Sequence, residues 1–345
     1  MLEIDGSRGE GGGQVLRTSL SLSCLLGTPF RIRNIRSNRP RPGLAPQHLT
    51  VVRALASICG ARVDGDSTGS LELSFSPRQV GPGEYRFDVG TAGSSLLVLQ
   101  ALLPPLLLGN GKSRLWVSGG THVPFSPCFE YVDRIFLPAL RSIGAEVRLK
   151  IESYGFYPKG GGRVRADVCP CRGMTGIRTL TRGPLLRIKG VSGACRLPIS
   201  IAERQREAAA RRLRSLPATE PPSFEVDATT PPGSAPGTFL FLEAEYGNTR
   251  AGVSSLGAIG KRAEEVGREA ADALLSHHEA GAALDPHLAD QLIPYLALAG
   301  GGSSFTTSRI TRHLLTNLET VRLFHRYRYE VQGTEGAPGT VTIGN

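Results

Sequence analysis

The chain is predicted to be an α+β protein of three repeated helix-and-sheet modules, the third interrupted by a small inserted α/β domain. Three observations predict this. Leu26-Gly27 followed by Arg31-Ile32-Arg33 recurs as Leu108-Gly109 followed by Arg114-Leu115-Trp116. Gly60-Ala61-Arg62-Val63 recurs as Gly144-Ala145-Glu146-Val147, and every offset lies at 82 to 84 residues, a near-constant spacing that marks a duplicated unit. Within each unit the apolar pattern switches from helical to alternating period.

Each of the first two units reads in one order. A glycine-rich turn enters an apolar helix (13–26; 93–108), and a strand follows (30–35; 113–118). A second helix comes next (46–58; 129–143), then strands (61–64 and 71–74; 146–151). The third unit opens with a strand and glycine turn at 155–164. It resumes with a helix at 288–299, a strand at 303–310 and a helix from His313 to Phe324. Gln100 and Gln291 each stand nine residues before a helix-ending glycine, Gly109 and Gly300, and so hold matching places in units two and three. The expected organisation is a large domain of residues 1–177 and 281–345, with 178–280 inserted. Inside the insertion, 185–191 reads as a strand, 200–213 as an arginine-rich helix, 217–236 as a proline-rich loop, 239–246 as a strand and 261–275 as an amphipathic helix.

With 345 residues and a net charge of +10, the chain can bury a sizeable core and favours a polyanionic partner. Only five of its 40 basic residues are lysines, and arginine grips phosphate with a planar fork. The six cysteines are scattered and complete no zinc pattern, which fits reduced thiols in a cytosolic protein. The start does not read as a signal peptide. The longest apolar run, 96–108, contains Gln100, Pro104 and Pro105 and is too short to span a membrane.

Four features could carry chemistry. Gly9-Glu10-Gly11-Gly12-Gly13-Gln14 is a glycine loop entering a helix, where backbone N–H groups can approach phosphate. It matches neither the dinucleotide nor the Walker spacing. Glu10 within it would be a metal ligand or a solvated turn residue. Arg36, Arg39 and Arg41 form a loop that would clamp phosphate or simply be solvated. Asp285-Pro286 looks like a helix start ahead of Asp290-Gln291. His313 sits at a strand-to-helix junction, where ligands meet helix N-termini, and imidazole can act as a nucleophile near neutral pH. The plain alternative for each is a structural role.

Taken together, several motifs resemble the RNA 3′-terminal phosphate cyclase family. They are Gly9 to Gln14, Arg39 through Gln47-His48-Leu49, Gly93-Ser94 with Gln100, Ser118-Gly119-Gly120-Thr121, Gly155-Phe156-Tyr157-Pro158 with Gly160-Gly161-Gly162, Ala289-Asp290-Gln291, and His313-Leu314-Leu315-Thr316-Asn317. They occur in one order over almost the whole chain and are weakest in the insertion.

The resemblance implies modules like the C-terminal domain of translation initiation factor 3, with a thioredoxin-like insertion. It implies an ATP-dependent ligase-class reaction that converts an RNA 3′-phosphate end to a 2′,3′-cyclic phosphate. A histidine–AMP intermediate and an adenylated RNA end would lie on the way. His313 would be the nucleophile and Glu10 the ligand for Mg2+ or Mn2+. Gln100, Pro127, His287, Leu288, Ala289, Asp290 and Gln291 would form the ATP site, and Arg17, Arg36, Arg39 and Gln47 would contact phosphates. Two positions depart from the family pattern: His287 stands where some relatives carry tyrosine, and Cys128 where a second proline is common. The implied partners are ATP and RNA with a 3′-phosphate, in the cytoplasm and without a membrane; a homodimer is allowed. The alternatives are a non-catalytic cyclase-like RNA-binding protein of ribosome assembly, whose members lack the histidine, and an enolpyruvyl transferase, which five scattered lysines fit poorly. The Lys-x-Asp-Gly of ordinary ligases is absent, so a nucleotidyl enzyme on this chain needs another nucleophile.

Overall fold

The computed structural model describes residues 1–214, 216 and 223–344. Unit one comprises β1 (Leu2–Asp5), α1 (Gly13–Leu26), β2 (Phe30–Arg33), α2 (Pro46–Cys59), β3 (Arg62–Asp64) and β4 (Leu73–Ser76). Unit two comprises β5 (Glu84–Asp88), α3 (Ser95–Leu107), β6 (Ser113–Gly119), α4 (Phe129–Tyr131), α5 (Leu137–Ser142), β7 (Glu146–Ser153) and β8 (Gly162–Cys169), with a π-helical stretch Val132–Phe136 joining α4 to α5. After β9 (Arg178–Thr179) come the inserted elements β10 (Leu185–Cys195), α6 (Ile199–Leu213), β11 (Ser223–Thr229), β12 (Gly237–Tyr246), β13 (Arg250–Leu256) and α7 (Ala263–Ala280). Unit three closes with α8 (Pro286–Gln291), α9 (Ile293–Leu296), β14 (Ser303–Thr307), α10 (Arg312–Phe324), β15 (Arg328–Gln332) and β16 (Gly339–Gly344).

The three unit sheets share one topology. Their orders are β1-β2-β4-β3, β5-β6-β8-β7 and β9-β14-β16-β15. In each the first two strands pair parallel and the rest antiparallel. Each unit therefore lays helices on one sheet face, and those apolar faces merge into a shared core holding Phe30, Phe75, Phe136 and Phe305. The inserted sheet, β11-β10-β12-β13, has a smaller core of its own against α6 and α7, while Phe239 and Phe241 join the main core.

Several boundaries differ from expectation. The stretch 155–164 does not open unit three: Gly162–Cys169 is the last strand of unit two, paired with β6 and β7. Unit three begins instead at β9, two residues long and too short to show an alternating pattern. Within the expected 217–236 loop, 217–222 lie outside the described residues, and Ser223–Thr229 forms β11, parallel to β10. Prolines on both sides hid that strand.

The helix expected over 288–299 is broken into α8 and α9. Pro294 has no N–H to give the carbonyl of Asp290 one turn earlier. The Asn317 side-chain amide donates to that carbonyl instead, at 2.8 Å, and its own oxygen accepts from the Thr18 hydroxyl at 2.7 Å. A freed backbone acceptor is thus satisfied by a side chain that also ties unit three to unit one.

Candidate active site

The second helix of each unit begins in the same way, and its second residue is Gln47, Glu130 or His313. These helix starts reach the first helix of the next unit in a ring. Gln47 Oε1 accepts from the Ser94 backbone N–H at 2.8 Å, at the cap of α3. Beside Glu130, the Tyr131 hydroxyl donates to Asp285, the cap of α8, at 2.8 Å. His313 Nδ1 lies 2.7 Å from Gln14 Oε1, in the first turn of α1. The last contact closes the ring.

A cleft of about 650 Å³ opens where these helices converge. It gathers Arg17, Gln100, Pro127, His287, Asp290, Gln291 and His313 of the expected site. Gln100 Nε2 donates to Gln291 Oε1 at 2.9 Å, so the two residues matched by repeat position meet. The equivalent place in unit one, nine residues before Gly27, is Thr18, which also lines the cleft. Leu288 and Ala289 do not line it; both are buried in the core behind their neighbours.

His313 is exposed on the cleft side, at the N-terminal end of α10, where the Thr311 hydroxyl caps the Leu314 N–H at 3.0 Å. Since a glutamine carbonyl only accepts, Gln14 Oε1 assigns the ring proton to Nδ1 and leaves the Nε2 lone pair free. Partial burial lowers the imidazole pKa, and Arg17, His287 and Arg39 push it further down, so the ring is neutral at pH 7. The partial positive charge of the helix terminus favours the same state and an incoming anion.

Opposite, burial brings the Arg17 guanidinium down to about 10, with Asp290 opposing, and it stays charged. Burial, then Asp285, raises the Asp290 carboxyl well above its usual range, with Arg17 opposing.

The glycine-loop group stands apart from the cleft lining. One Glu10 oxygen pairs with Arg39, while the other is buried without a hydrogen-bond partner among the described residues. A Cβ at Gly12 would collide with the Glu10 carboxylate, and one at Gly13 with His48 Nε2, so these glycines let the loop fold tightly over both side chains. An orphaned carboxylate oxygen beside a phosphate-type loop fits a divalent cation. The Glu10 N–H donates to Thr316 of α10 at 2.9 Å, which ties this loop to the histidine helix. Arg36 donates to the Gly43 carbonyl at 2.7 Å, and Gln47 is committed to Ser94, so both hold the frame.

Sequence reasoning missed three contributors. Gln14 and Asn317 lie inside motifs already singled out, but their partners are 299 residues away in sequence. Lys261, bonded to Glu269 and at 3.0 Å to the Leu256 carbonyl, brings the insertion into the cleft wall with no sequence signal. Outside the cleft lining, His122 Nε2 lies 2.7 Å from Glu130 Oε2.

The family model described as RNA 3′-terminal phosphate cyclase matches residues 8–331. The chain is 45% identical to an RNA 3′-terminal phosphate cyclase of Staphylothermus marinus, over 99% of this chain and 98% of that one. It is 47% identical to one of Caldivirga maquilingensis, over 94% and 92%. It is 44% identical to one of Methylococcus capsulatus, over 99% and 96%. A solved structure, the enolpyruvyl transferase NikO from Streptomyces tendae, aligns at 13% identity and TM-score 0.28, over 99% of this chain and 65% of that one. Among the described residues no helix is long and apolar enough to cross a membrane.

Proposed function

Because the chain belongs to the RNA 3′-terminal phosphate cyclase family, we propose that it closes an RNA 3′-phosphate onto the neighbouring 2′-hydroxyl at the expense of ATP, with His313 as the covalent nucleophile. The carrying observation is the ring held through Nδ1 by Gln14, with Nε2 free at a cleft-side helix terminus. Nε2 attacks the α-phosphorus of ATP; the N–P bond forms as the bond to pyrophosphate breaks. An oxygen of the RNA 3′-phosphate then takes the adenylyl group, and the N–P bond breaks. Finally the 2′-oxygen attacks the activated phosphorus, losing its proton, and AMP departs with the electron pair. A phosphate monoester is a poor electrophile, so passing AMP through histidine splits one hard step into easier ones.

In this reading the adenine lies between Pro127 and His287, with Gln100, Asp290 and Gln291 beside it; Leu288 and Ala289 frame the wall from behind. Arg17 and Arg39 hold phosphates, and Arg36 and Gln47 position the loop that carries them. Glu10 is the residue placed to hold Mg2+ or Mn2+, which when bound offsets triphosphate charge. The common strand order of the three unit sheets supports a likeness to the C-terminal domain of initiation factor 3, and the β-α-β-β-β-α order of the insertion supports a thioredoxin-like one. A cytoplasmic enzyme acting on RNA ends fits the arginine-rich charge balance.

Incubation with α-labelled ATP and metal tests this. Label should attach covalently to the protein, be acid-labile and base-stable, and vanish in His313→Ala. Unlabelled wild-type protein would favour a non-catalytic role in ribosome assembly.

A further inference from the structure

The outer faces of the unit sheets differ, and the second carries a feature the cleft does not use. Its register sets Arg86 opposite Trp116, Trp116 opposite Arg165, and Arg165 opposite Lys150. Three cations thus share one row with the only tryptophan of the chain, and no carboxylate interrupts them. The Arg86 guanidinium lies 4.0 Å above the indole, and that of Arg114 in the adjoining row lies at 5.8 Å. Arg86 and Lys150 make no ion pair among the described residues. Arg165 Nε is buried without a hydrogen-bond partner among the described residues, while its Nη2 lies 3.5 Å from Asp167 Oδ2. The carboxylates of the flanking rows are engaged: Glu84 with Arg114, Asp167 with Arg114 and Arg165, Glu152 with Arg163, and Asp88 with the Gly90 N–H. A depression of about 420 Å³ opens beside Trp116, bordered by Arg86, Asp88, Ser118, Glu152 and Arg163.

The chain itself links this surface to the cleft. Past the end of β6 at Gly119 it continues to Val123–Pro127, which line the cleft. The same outward positions in units one and three carry no aromatic: β2 presents Arg31 and Arg33, and β14 presents Ser304 and Thr306.

The geometry points to a subsite for single-stranded RNA on the outer face of the second sheet, where a nucleobase stacks on Trp116 and backbone phosphates meet Arg86, Arg165 and Lys150. It rests on the reading of the cleft as an RNA-end site, and it extends that site to the strand upstream of the reacting end. An aromatic face accepts any base, an arginine stacked on it adds cation–π attraction, and free cations supply the salt-dependent part. RNA rather than a folded protein fits because Arg86 and Lys150, without ion pairs among the described residues, share a row with an aromatic and favour a polyanion bearing π-faces.

Trp116 is its own reporter. Titration with a single strand of about 12 nucleotides ending in a 3′-phosphate, without ATP, should quench its fluorescence, and a trinucleotide, with fewer nucleotides to offer both the cleft and Trp116, should quench it far less. Trp116→Leu, which keeps bulk and loses the aromatic face, should weaken binding of the longer strand roughly 5- to 100-fold, with Trp116→Phe nearly wild type. Arg86→Ala and Lys150→Ala should each lower the salt slope of binding. His313 adenylation by ATP alone should be unchanged in all four variants. Unquenched fluorescence in protein that binds the longer strand by another measure, or equal affinity in Trp116→Leu, overturns the subsite. So does a fluorescence change that follows protein concentration instead of RNA, which would mark a contact between copies. Loss of adenylation in wild-type protein would sink the cleft reading and leave the fluorescence result standing by itself.

Discussion

His313 and the His122–Glu130 pair belong to corresponding corners of the fold, yet they live in different chemistry. Glu130 and His313 are each the second residue of their unit's second helix. At Glu130 the position is dry. Its carboxylate contacts His122 at 2.7 Å and the Tyr154 hydroxyl at 3.1 Å, and His122 takes Thr121 through its other nitrogen at 3.0 Å. The Phe239 ring of the insertion lies 4.2 Å from the His122 ring and helps to seal it. Burial pushes the neighbouring Cys128 thiol far up, with Glu130 adding to the rise, so it stays protonated although it lies within 4.8 Å of both other groups. At His313 one nitrogen is anchored and the other is left open to the cleft. Repetition supplied equivalent helix starts, and what covers each one decides whether it becomes a strut or a nucleophile.

The sharpest break of this contrast is His313→Ala. Covalent labelling by α-labelled ATP should fall by about 1,000-fold or more, with little change in melting temperature, because the side chain is exposed. The converse is Glu130→Ala. It leaves His122 buried and half-partnered and should cost about 3–5 kcal/mol in denaturant unfolding, while folded protein keeps its labelling rate. If Glu130→Ala stopped labelling without loss of stability, the division between the two corners would be wrong.

Gln14→Leu probes the anchor itself. Freed from its acceptor, the His313 ring can turn and change tautomer, and labelling should drop by roughly 10- to 100-fold while ATP binding persists.

The smallest expected effects are those of pH. The lowered His313 pKa predicts that labelling holds as pH falls through 6.5 and declines only below it. Burial, reinforced by Arg17 and Arg36, takes His48 down to about 3. Between pH 6.5 and 3 the unfolded chain therefore binds a proton that the folded chain refuses. His48 stabilises the fold fully above 6.5 and less as pH falls through that window, by at most about 1.4 kcal/mol per pH unit. Urea unfolding of His48→Gln should show a shallower acid slope than wild type.

Much of the architecture was legible in advance. The 82- to 84-residue repeat located α1 to α5 within a few residues, because amphipathic period and glycine stops are local properties. No strand was read at β1, β5, β9, β13, β15 or β16, and prolines on both sides hid β11; a strand is fixed by the partner it pairs with, and that partner is not local in sequence. For the site, repeat position paired Gln100 with Gln291, and they touch. The Gln14 and Asn317 contacts and the wall contributed by Lys261 lay beyond reach, because nothing local records a neighbour some 299 residues along the chain.

By itself the sequence determined the repeated unit, the arginine-rich charge and the set of motifs, all of which depend on residue order over a few turns. Only the tertiary structure decided which of three equivalent helix starts lies open, which imidazole nitrogen is free, and that the carbonyl stranded by Pro294 is satisfied by Asn317. Desolvation and hydrogen-bond partnership are set by what packs alongside, and in this fold the packing neighbours come from other units.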